Sequence, residues 1–159
     1  MGDIVTASGT RFLIGPTPAA SVDTLAEFAA LSYVEVGLIE TLGEVGDEAN
    51  AVTGAALGDG RVRKAKGARD AGTMPVTVFH DPADAGQLAM IDAEASNNNY
   101  AFKIILPDGP TTSSTDTIQY FKGLVMSKRL NIGENDNIIR RTFNVGVNSQ
   151  MYESPAAGF

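Results

Sequence analysis

The sequence predicts a mainly β fold: an antiparallel β-sandwich or half-barrel with one flanking α-helix at about residues 82–95. Short segments in which apolar and polar residues alternate recur along the chain, and this is the pattern of half-buried strands. The 17 glycines favour turns over long helices. A chain of 159 residues has the size of one ordinary domain, so we assign residues 1–159 to a single domain.

The N-terminal half contains two predicted strands and one long connection. Residues 10–16 and 32–42 alternate and predict strands, the second with one buried face. Residues 22–31 have two interpretations, a short helix with Ser21 as its N-cap or an irregular lead-in to the next strand. Residues 43–72 are acidic, then rich in small residues, then basic and rich in glycine, which predicts an extended strand and a long flexible loop.

The strongest helix signal lies in the middle of the chain. Asp81 is a good N-cap, and Pro82 suits the first helical position. Leu88, Ile91 and Ala95 recur at helical spacing and predict the apolar stripe. Because this stripe is narrow, we expect the helix to pack on a sheet rather than to be buried on all sides.

Four further strands are predicted on either side of this helix. Residues 73–80 precede it, and residues 100–106, 118–130 and 138–147 follow it. The last three are successive and predict an antiparallel meander. The final residues, 151–159, predict a tail that is mobile or docked on a neighbouring molecule.

The residues that carry chemistry are scarce. The chain has no Cys and a single His, His80, for which we expect a structural role at a strand end. The spacings of phosphate-binding loops, nucleophile elbows and zinc-binding helices are missing. We therefore expect no enzyme activity, no metal and no cofactor. No apolar run approaches the ~18 residues that a membrane span requires, so we expect no membrane partner.

Charge is distributed unevenly along the chain. The net charge of −7 argues against a conventional DNA-binding surface. Between Phe12 and Gly60 there are eight acidic residues and no basic one, and the next nine residues, RVRKAKGAR, contain five basic ones. One interpretation is two solvated faces or pairing within the chain. The other is association of copies, in which the basic segment of one copy meets the acidic surface of another.

The order of motifs from about residue 65 to residue 148 resembles a known family. An Ala-Gly turn leads into a strand in DAGTMPVTVFH, and a helix started by Pro follows in DPADAGQLAMIDAEA. Three strand segments come next: YAFKIILPDG, QYFKGLVMS and IIRRTFNVGV. This order resembles the major tail tube proteins of lambda-like siphophages, which are similar to the tube proteins of gene transfer agents and of type VI secretion.

The resemblance implies a structural virion protein without catalytic function. Such subunits form hexameric rings that stack into a tube, and DNA passes through the lumen during ejection without specific binding. The implied partners are the chain itself and the tail-tip initiator, tape-measure and terminator proteins. The implied location is the tail of a phage or phage-like particle, assembled in the cytoplasm of the bacterial host. Some members carry an added immunoglobulin-like C-terminal domain, and we expect none here.

Within that implied tube, the two charged segments become candidate site residues. A negative lumen wall repels phosphates, so we expect acidic residues to face the lumen: Glu35, Glu40, Glu44, Asp47 and Glu48. We expect the basic residues to contact the adjacent ring: Arg61, Arg63, Lys64, Lys66 and Arg69.

Other functions remain open at this point. The same fold serves head–tail joining proteins, tail terminators and secretion-tube subunits. A ligand-binding β-sandwich module is less favoured, because such a surface uses exposed aromatic residues and this chain has no Trp, 7 Phe and 4 Tyr. Concentration-dependent assembly distinguishes the tube and joining proteins from a binding module or an enzyme.

Overall fold

Most strands of the chain belong to one antiparallel sheet. The computed structural model describes residues 4–19, 21–109 and 114–157. Its elements, in chain order, are β1 (Arg11–Pro18), α1 (Leu25–Ala30), β2 (Val34–Glu35), β3 (Ile39–Leu42), β4 (Glu48–Ala55), β5 (Val62–Asp70), β6 (Thr73–Phe79), α2 (Ala85–Ala95), β7 (Tyr100–Ile105), β8 (Ile118–Asn131), β9 (Arg140–Val147) and β10 (Tyr152–Ser154). The strand order of the main sheet is β2-β1-β7-β8-β9-β6-β3, and β10 pairs with β8. The predicted meander is confirmed as β7-β8-β9, and the mainly β, antiparallel fold class is confirmed.

The main sheet is rolled into an open half-barrel. β2 and β3 form opposite edges of the sheet, yet only residues 36–38 separate them along the chain. Four residue steps span at most about 14 Å, so the two edges lie close together. The edges do not pair within the described residues, and the barrel stays open. The single strand predicted at 32–42 is therefore two strands, because the chain turns from one edge to the other.

The core lies inside this half-barrel and is rich in phenylalanine. The rings of Phe12, Phe102 and Phe121 stack across β1, β7 and β8, with centroids 5.6 and 5.2 Å apart. Phe143 of β9 and Met90 of α2 are also fully buried in this cluster. Each such side chain contributes about 1.5–3 kcal/mol by leaving water, so the meander and α2 are held by burial.

The start of α2 is hydrogen-bonded to the link between β2 and β3, and we call it the clasp (residues 84–87). Asp84, not the predicted Asp81, is the N-cap, and its Oδ2 accepts from the backbone N of Gln87 (2.9 Å). The same oxygen accepts from the backbone N of Gly37 (3.0 Å), in the link between β2 and β3. Asp81 instead accepts from the N of Ala83, one turn earlier. Asp84 is the better N-cap because its carboxylate accepts hydrogen bonds both from a free backbone N–H of the helix and from one in the link between β2 and β3.

The buried face of α2 differs from the predicted one. Leu88, predicted in the apolar stripe, is 46% exposed, and the buried residues are Gly86, Gln87, Met90 and Ala93. The Gln87 amide donates to the carbonyls of Gly37 (3.1 Å) and Phe79 (2.9 Å), and its oxygen accepts from Asp81 N (3.1 Å). A fully satisfied polar side chain thus decides which face is buried, and hydropathy alone misses it.

Two segments at the ends of the chain cover the outer face of the sheet. Residues 25–30 form α1, which confirms the first of the two interpretations, although Thr24 rather than Ser21 is its N-cap. The expected tail is an ordered part of the same chain: β10 pairs with β8, and the Tyr152 hydroxyl donates to the carbonyl of Asp23 (2.7 Å). The prediction of a mobile or neighbour-docked tail is wrong for residues 151–157, since Tyr152 packs on Phe28; residues 158–159 lie outside the described part.

The long loop predicted at 43–72 is mostly a β-hairpin. β4 and β5 pair along their length, from Glu48–Asp70 to Ala55–Val62, and we call this hairpin the arm (residues 48–70). Seven of eight residues in β4 and eight of nine in β5 are exposed. The alternation that identifies a strand arises from burial of one face, and neither face of the arm is buried, so the pattern is missing from the sequence.

Candidate assembly surfaces

Two of the five acidic candidates form ion pairs on the half-barrel. Glu35 of β2 accepts from Nε of Arg11 (2.9 Å), and this hydrogen bond is the main reason that the pKa of Arg11 is raised. Glu40 of β3 accepts from Nε of Arg140 (2.5 Å), whose guanidinium lies 5.4 Å from the ring centre of Phe79. The charge of these two carboxylates is largely neutralised by their arginine partners. The pairings are not evident from the sequence, because the partners are 24 and 100 residues away.

The other three acidic candidates meet where the arm joins the half-barrel. Glu44, Asp47 and Glu48 are exposed, and Asp70 lies directly opposite Glu48 in the β4–β5 register. We call these four residues the acidic base. They line open depressions of about 650 and 390 Å³, and none of them is within 4.0 Å of a basic group among the described residues. Like charges placed opposite each other destabilise a hairpin, so this site favours a cationic partner.

The five basic candidates divide into two groups. The register places Lys64, Lys66 and Arg69 opposite Thr53, Ala51 and Ala49, which recur at every second position of β4. Cross-strand partners share a face, so these three cations lie together on one face of the arm, which we call the basic face. A shallow depression lies along it, lined by the same three cations and, at its end nearest the half-barrel, by Asp47 and Glu48 of the acidic base.

The remaining two basic candidates belong to the turn of the arm. Arg63 lies on the opposite face and binds Asp59, with Nη2 to Oδ2 at 2.6 Å. The backbone N of Arg61 donates to the other carboxylate oxygen (3.1 Å). Chiefly because of the Arg63 hydrogen bond, the pKa of Asp59 is lowered from its usual value. These contacts brace the turn through the side chain of Arg63 and the backbone of Arg61. Contact of the two arginines with an adjacent ring stays a prediction.

Sequence reasoning missed two residues that these surfaces depend on. Asp70, the residue directly after the basic segment, completes the acidic base, and only the register brings it beside Glu48. Leu57 lies in the turn of the arm and is fully exposed. The sequence does single out Leu57, because it is the one large apolar residue in the stretch TGAALGDG, which otherwise contains only small or polar residues.

Among the described residues, no cluster of three or more side chains is placed to hold a metal ion. Within the same part of the chain, no helix has the length and hydrophobicity needed to cross a membrane.

The fold is a β half-barrel that projects a solvent-exposed, charged hairpin. The family model described as "Phage tail tube protein, TTP" matches residues 17–151. The chain belongs to this family of tail tube proteins, and the resemblance stated from the sequence is confirmed. A search of curated protein sequences found no significant match.

Solved structures agree with this assignment at the level of the fold. The chain is similar to a tail tube subunit of SPP1 at 14% identity, covering 96% of this chain and 80% of that one, with a TM-score of 0.71. It is similar to a chain in the tail of an empty gene transfer agent particle at 12% identity, covering 95% and 99%, with a TM-score of 0.66. A chain from the sheath–tube complex of an extracellular contractile injection system matches at 9% identity, covering 96% and 92%, with a TM-score of 0.66.

Proposed function

We propose that this chain is the subunit of a tail tube, assembled as hexameric rings that stack, and that DNA passes through the lumen during ejection. Membership of the tail tube family carries this proposal. The arm supports it, because a two-stranded hairpin outside a core is marginally stable in water and gains from a second copy. One similar particle tail was refined with six-fold symmetry, which favours six subunits per ring here.

The basic face is proposed to contact the acidic base of a subunit in the adjacent ring. Three cations lie on the basic face, and four carboxylates form the acidic base. Such a contact joins different surfaces of two copies, so it repeats along one axis instead of closing on itself. Opposite charges also steer the approach of the two surfaces and disfavour the inverted orientation.

A second role is proposed for the acidic candidates on the lumen wall. Glu35 and Glu40 are paired with arginines, so Glu44, Asp47 and Glu48 would supply most of the free negative charge. Fixed negative charge repels the phosphates of DNA and lets it slide without specific binding. Reversal of Glu44 and Asp47 to Lys separates the two roles: intact tubes with slow DNA ejection favour the lumen, whereas failed stacking favours the ring contact.

Negative-stain electron microscopy of the concentrated protein tests the main proposal. We expect long tubes with a stain-filled lumen, alone or after addition of a tail-tip initiator. Single rings that never stack would favour the alternative of a head–tail joining protein or a terminator. A protein that stays monomeric in both conditions would contradict the tube proposal. Tape-measure and terminator proteins are the further proposed partners, with assembly in the host cytoplasm and residence in the tail.

A further inference from the structure

We infer that Leu57, at the tip of the arm, inserts into the open apolar cleft between β3 and the segment before β1 (residues 7–10) of a second copy. This inference rests on the proposed stacking of subunits and names the contact that joins them. The occupant of the cleft is therefore another copy of this chain, and the contact is apolar at its centre and ionic beside it.

Leu57 is presented as a fixed apolar tip. Its side chain is 106% exposed, more than any other large apolar side chain of the described residues. The turn around it is braced by a backbone hydrogen bond from Gly60 N to Ala56 O (3.2 Å) and by the Asp59–Arg63 pair. An ordered turn loses little conformational entropy on docking, so most of the ~1.5–3 kcal/mol from burying a leucine is available for binding.

The cleft lies beside β3, which is an edge strand of the main sheet. It has a volume of about 710 Å³ and is bounded by β3 with the residues after it, by residues 7–10 before β1, and by the end of β7. Its apolar lining comes from five side chains that also pack against the core: Ile39, Leu42, Val45, Ile104 and Leu106. An apolar depression left in water is unfavourable, so a leucine side chain entering it gains burial on both sides.

The tip of the arm and the cleft cannot meet within one molecule. Val45, in the cleft wall, lies three residues before the arm begins. β4 has eight residues, and at ~3.3 Å per residue the paired arm carries Leu57 about 26 Å away from its base. The ladder from Glu48–Asp70 to Ala55–Val62 keeps the hairpin extended. Only the cleft of a second copy is within reach of the tip.

Charge complementarity supports the same docking. Val45 lines both the cleft and the depression of the acidic base, so the two surfaces are continuous. Lys64 pairs with Thr53, four residues before Leu57 and therefore about 13 Å behind the tip. An arm whose tip occupies the cleft thus brings its basic face to the neighbouring carboxylates. The apolar tip and the ionic contact act on one surface.

Disulfide cross-linking tests this contact, because the chain contains no Cys of its own. The variant Leu57→Cys/Val45→Cys joins tip to cleft. We expect a ladder of covalent oligomers on a non-reducing gel after mild oxidation, and its collapse after reduction. The matched control Leu57→Cys/Leu88→Cys pairs the tip with an exposed leucine of α2, and we expect no ladder. Cysteine Cα atoms more than about 7 Å apart cannot be bridged, so the test reports position.

A second pair of variants covers the case in which the cysteines disturb folding. Leu57→Asp is expected to raise the concentration needed for tubes at least tenfold, while Leu57→Met keeps it near that of the natural protein. Melting midpoints of both are expected to be unchanged, since Leu57 is fully exposed.

The outcomes separate this inference from the proposed function. Tubes without the ladder, or tubes of Leu57→Asp at the natural concentration, would overturn the docking of the tip and leave the tube subunit standing. A ladder without tubes would support the docking and count against the tube. The absence of tubes and ladder together would overturn both.

Discussion

The clasp and the arm are both rich in small residues, and the chain uses them in opposite ways. A Cβ placed on Gly86 in the clasp would lie 2.1 Å from the carbonyl oxygen of Glu35, whereas a Cβ on Gly54 in the arm meets no atom within 4 Å. In the clasp, the small residues let the backbone of α2 approach the backbone of Glu35 and Val36, and all of these contacts form within one molecule. In the arm, they leave a flat, solvated surface that another copy can complete.

The largest expected effect is at the clasp. Gly86→Ala should lower the free energy of unfolding by about 3 kcal/mol, because the new methyl group collides with the backbone of Glu35 and Val36, which cannot yield as a flexible side chain would. Thermal unfolding measures the change.

The matched control for this change is Gly54→Ala in the arm. Its Cβ has open space, and the expected change is within about 0.5 kcal/mol. Equal losses in the two variants would mean that the arm is as tightly packed as the clasp, and the contrast between the two regions would be lost.

An intermediate effect is expected on the basic face. Lys64→Glu/Lys66→Glu should raise the concentration needed for assembly at least tenfold, or about 1.4 kcal/mol, while the melting midpoint of the monomer stays unchanged. The physical reason is repulsion from the acidic base of the next copy. Light scattering at several salt concentrations measures it, and high salt should weaken assembly of the natural protein by screening the same attraction.

The other face of the arm provides the control for that prediction. Ala65→Glu adds negative charge to the arm as well, but residue 65 alternates with Lys64 and Lys66 and therefore lies on the opposite face, and the Asp59–Arg63 pair is left intact. A smaller effect on assembly is expected. If Ala65→Glu blocks assembly as strongly as the double variant, net charge and not the basic face governs association.

The same contrast explains what the sequence can predict. β7 and β9 follow from alternation, because burial of Phe102 and Phe143 imposes a period of two on the residues. β8 is instead apolar on both faces, where Tyr120 and Phe121 are both buried. The sequence of the arm lacks this alternation of apolar and polar residues, because neither face of the arm is buried. The buried face of α2 is missed for a related reason: Gln87 is buried by three hydrogen bonds to distant backbone groups rather than by hydropathy.

The grouping of the charged residues is also beyond local sequence. The span from Phe12 to Gly60 contains eight acidic residues and no basic one, which indicates a single acidic surface, but the fold separates these residues. Glu40 meets Arg140 across 100 residues, and Asp70 joins Glu48 through the hairpin register. Pairings of this kind depend on strand order, which alternation does not contain. What the sequence does predict is the charge asymmetry of the arm, because its basic residues are neighbours along one strand.

The smallest expected effect concerns two aspartates: Asp108, in the connection between β7 and β8 of the half-barrel, and Asp59, in the turn of the arm. The pKa of Asp108 is lowered chiefly by the hydrogen bond from the buried Thr117 hydroxyl, and the pKa of Asp59 chiefly by that from Arg63. A carboxylate with a lowered pKa stabilises the fold above its unfolded value, near pH 4, and loses this contribution as the pH falls through the folded pKa. Asp108→Ala should therefore cost about 1 kcal/mol of global stability at neutral pH and flatten the acid limb of the unfolding profile.

Asp59→Ala should behave differently, because its contacts lie wholly within the exposed arm. We expect an unchanged melting midpoint of the monomer, faster amide exchange around the turn at Gly60 and Arg61, and weaker assembly, since the tip is no longer held in one conformation. Thermal unfolding measures the first, and hydrogen exchange followed by NMR measures the second. If Asp59→Ala lowers the midpoint as much as Asp108→Ala, the arm folds together with the half-barrel. The arm would then be a completed part of the monomer, and the case for its completion by a second copy would rest on the cross-link alone.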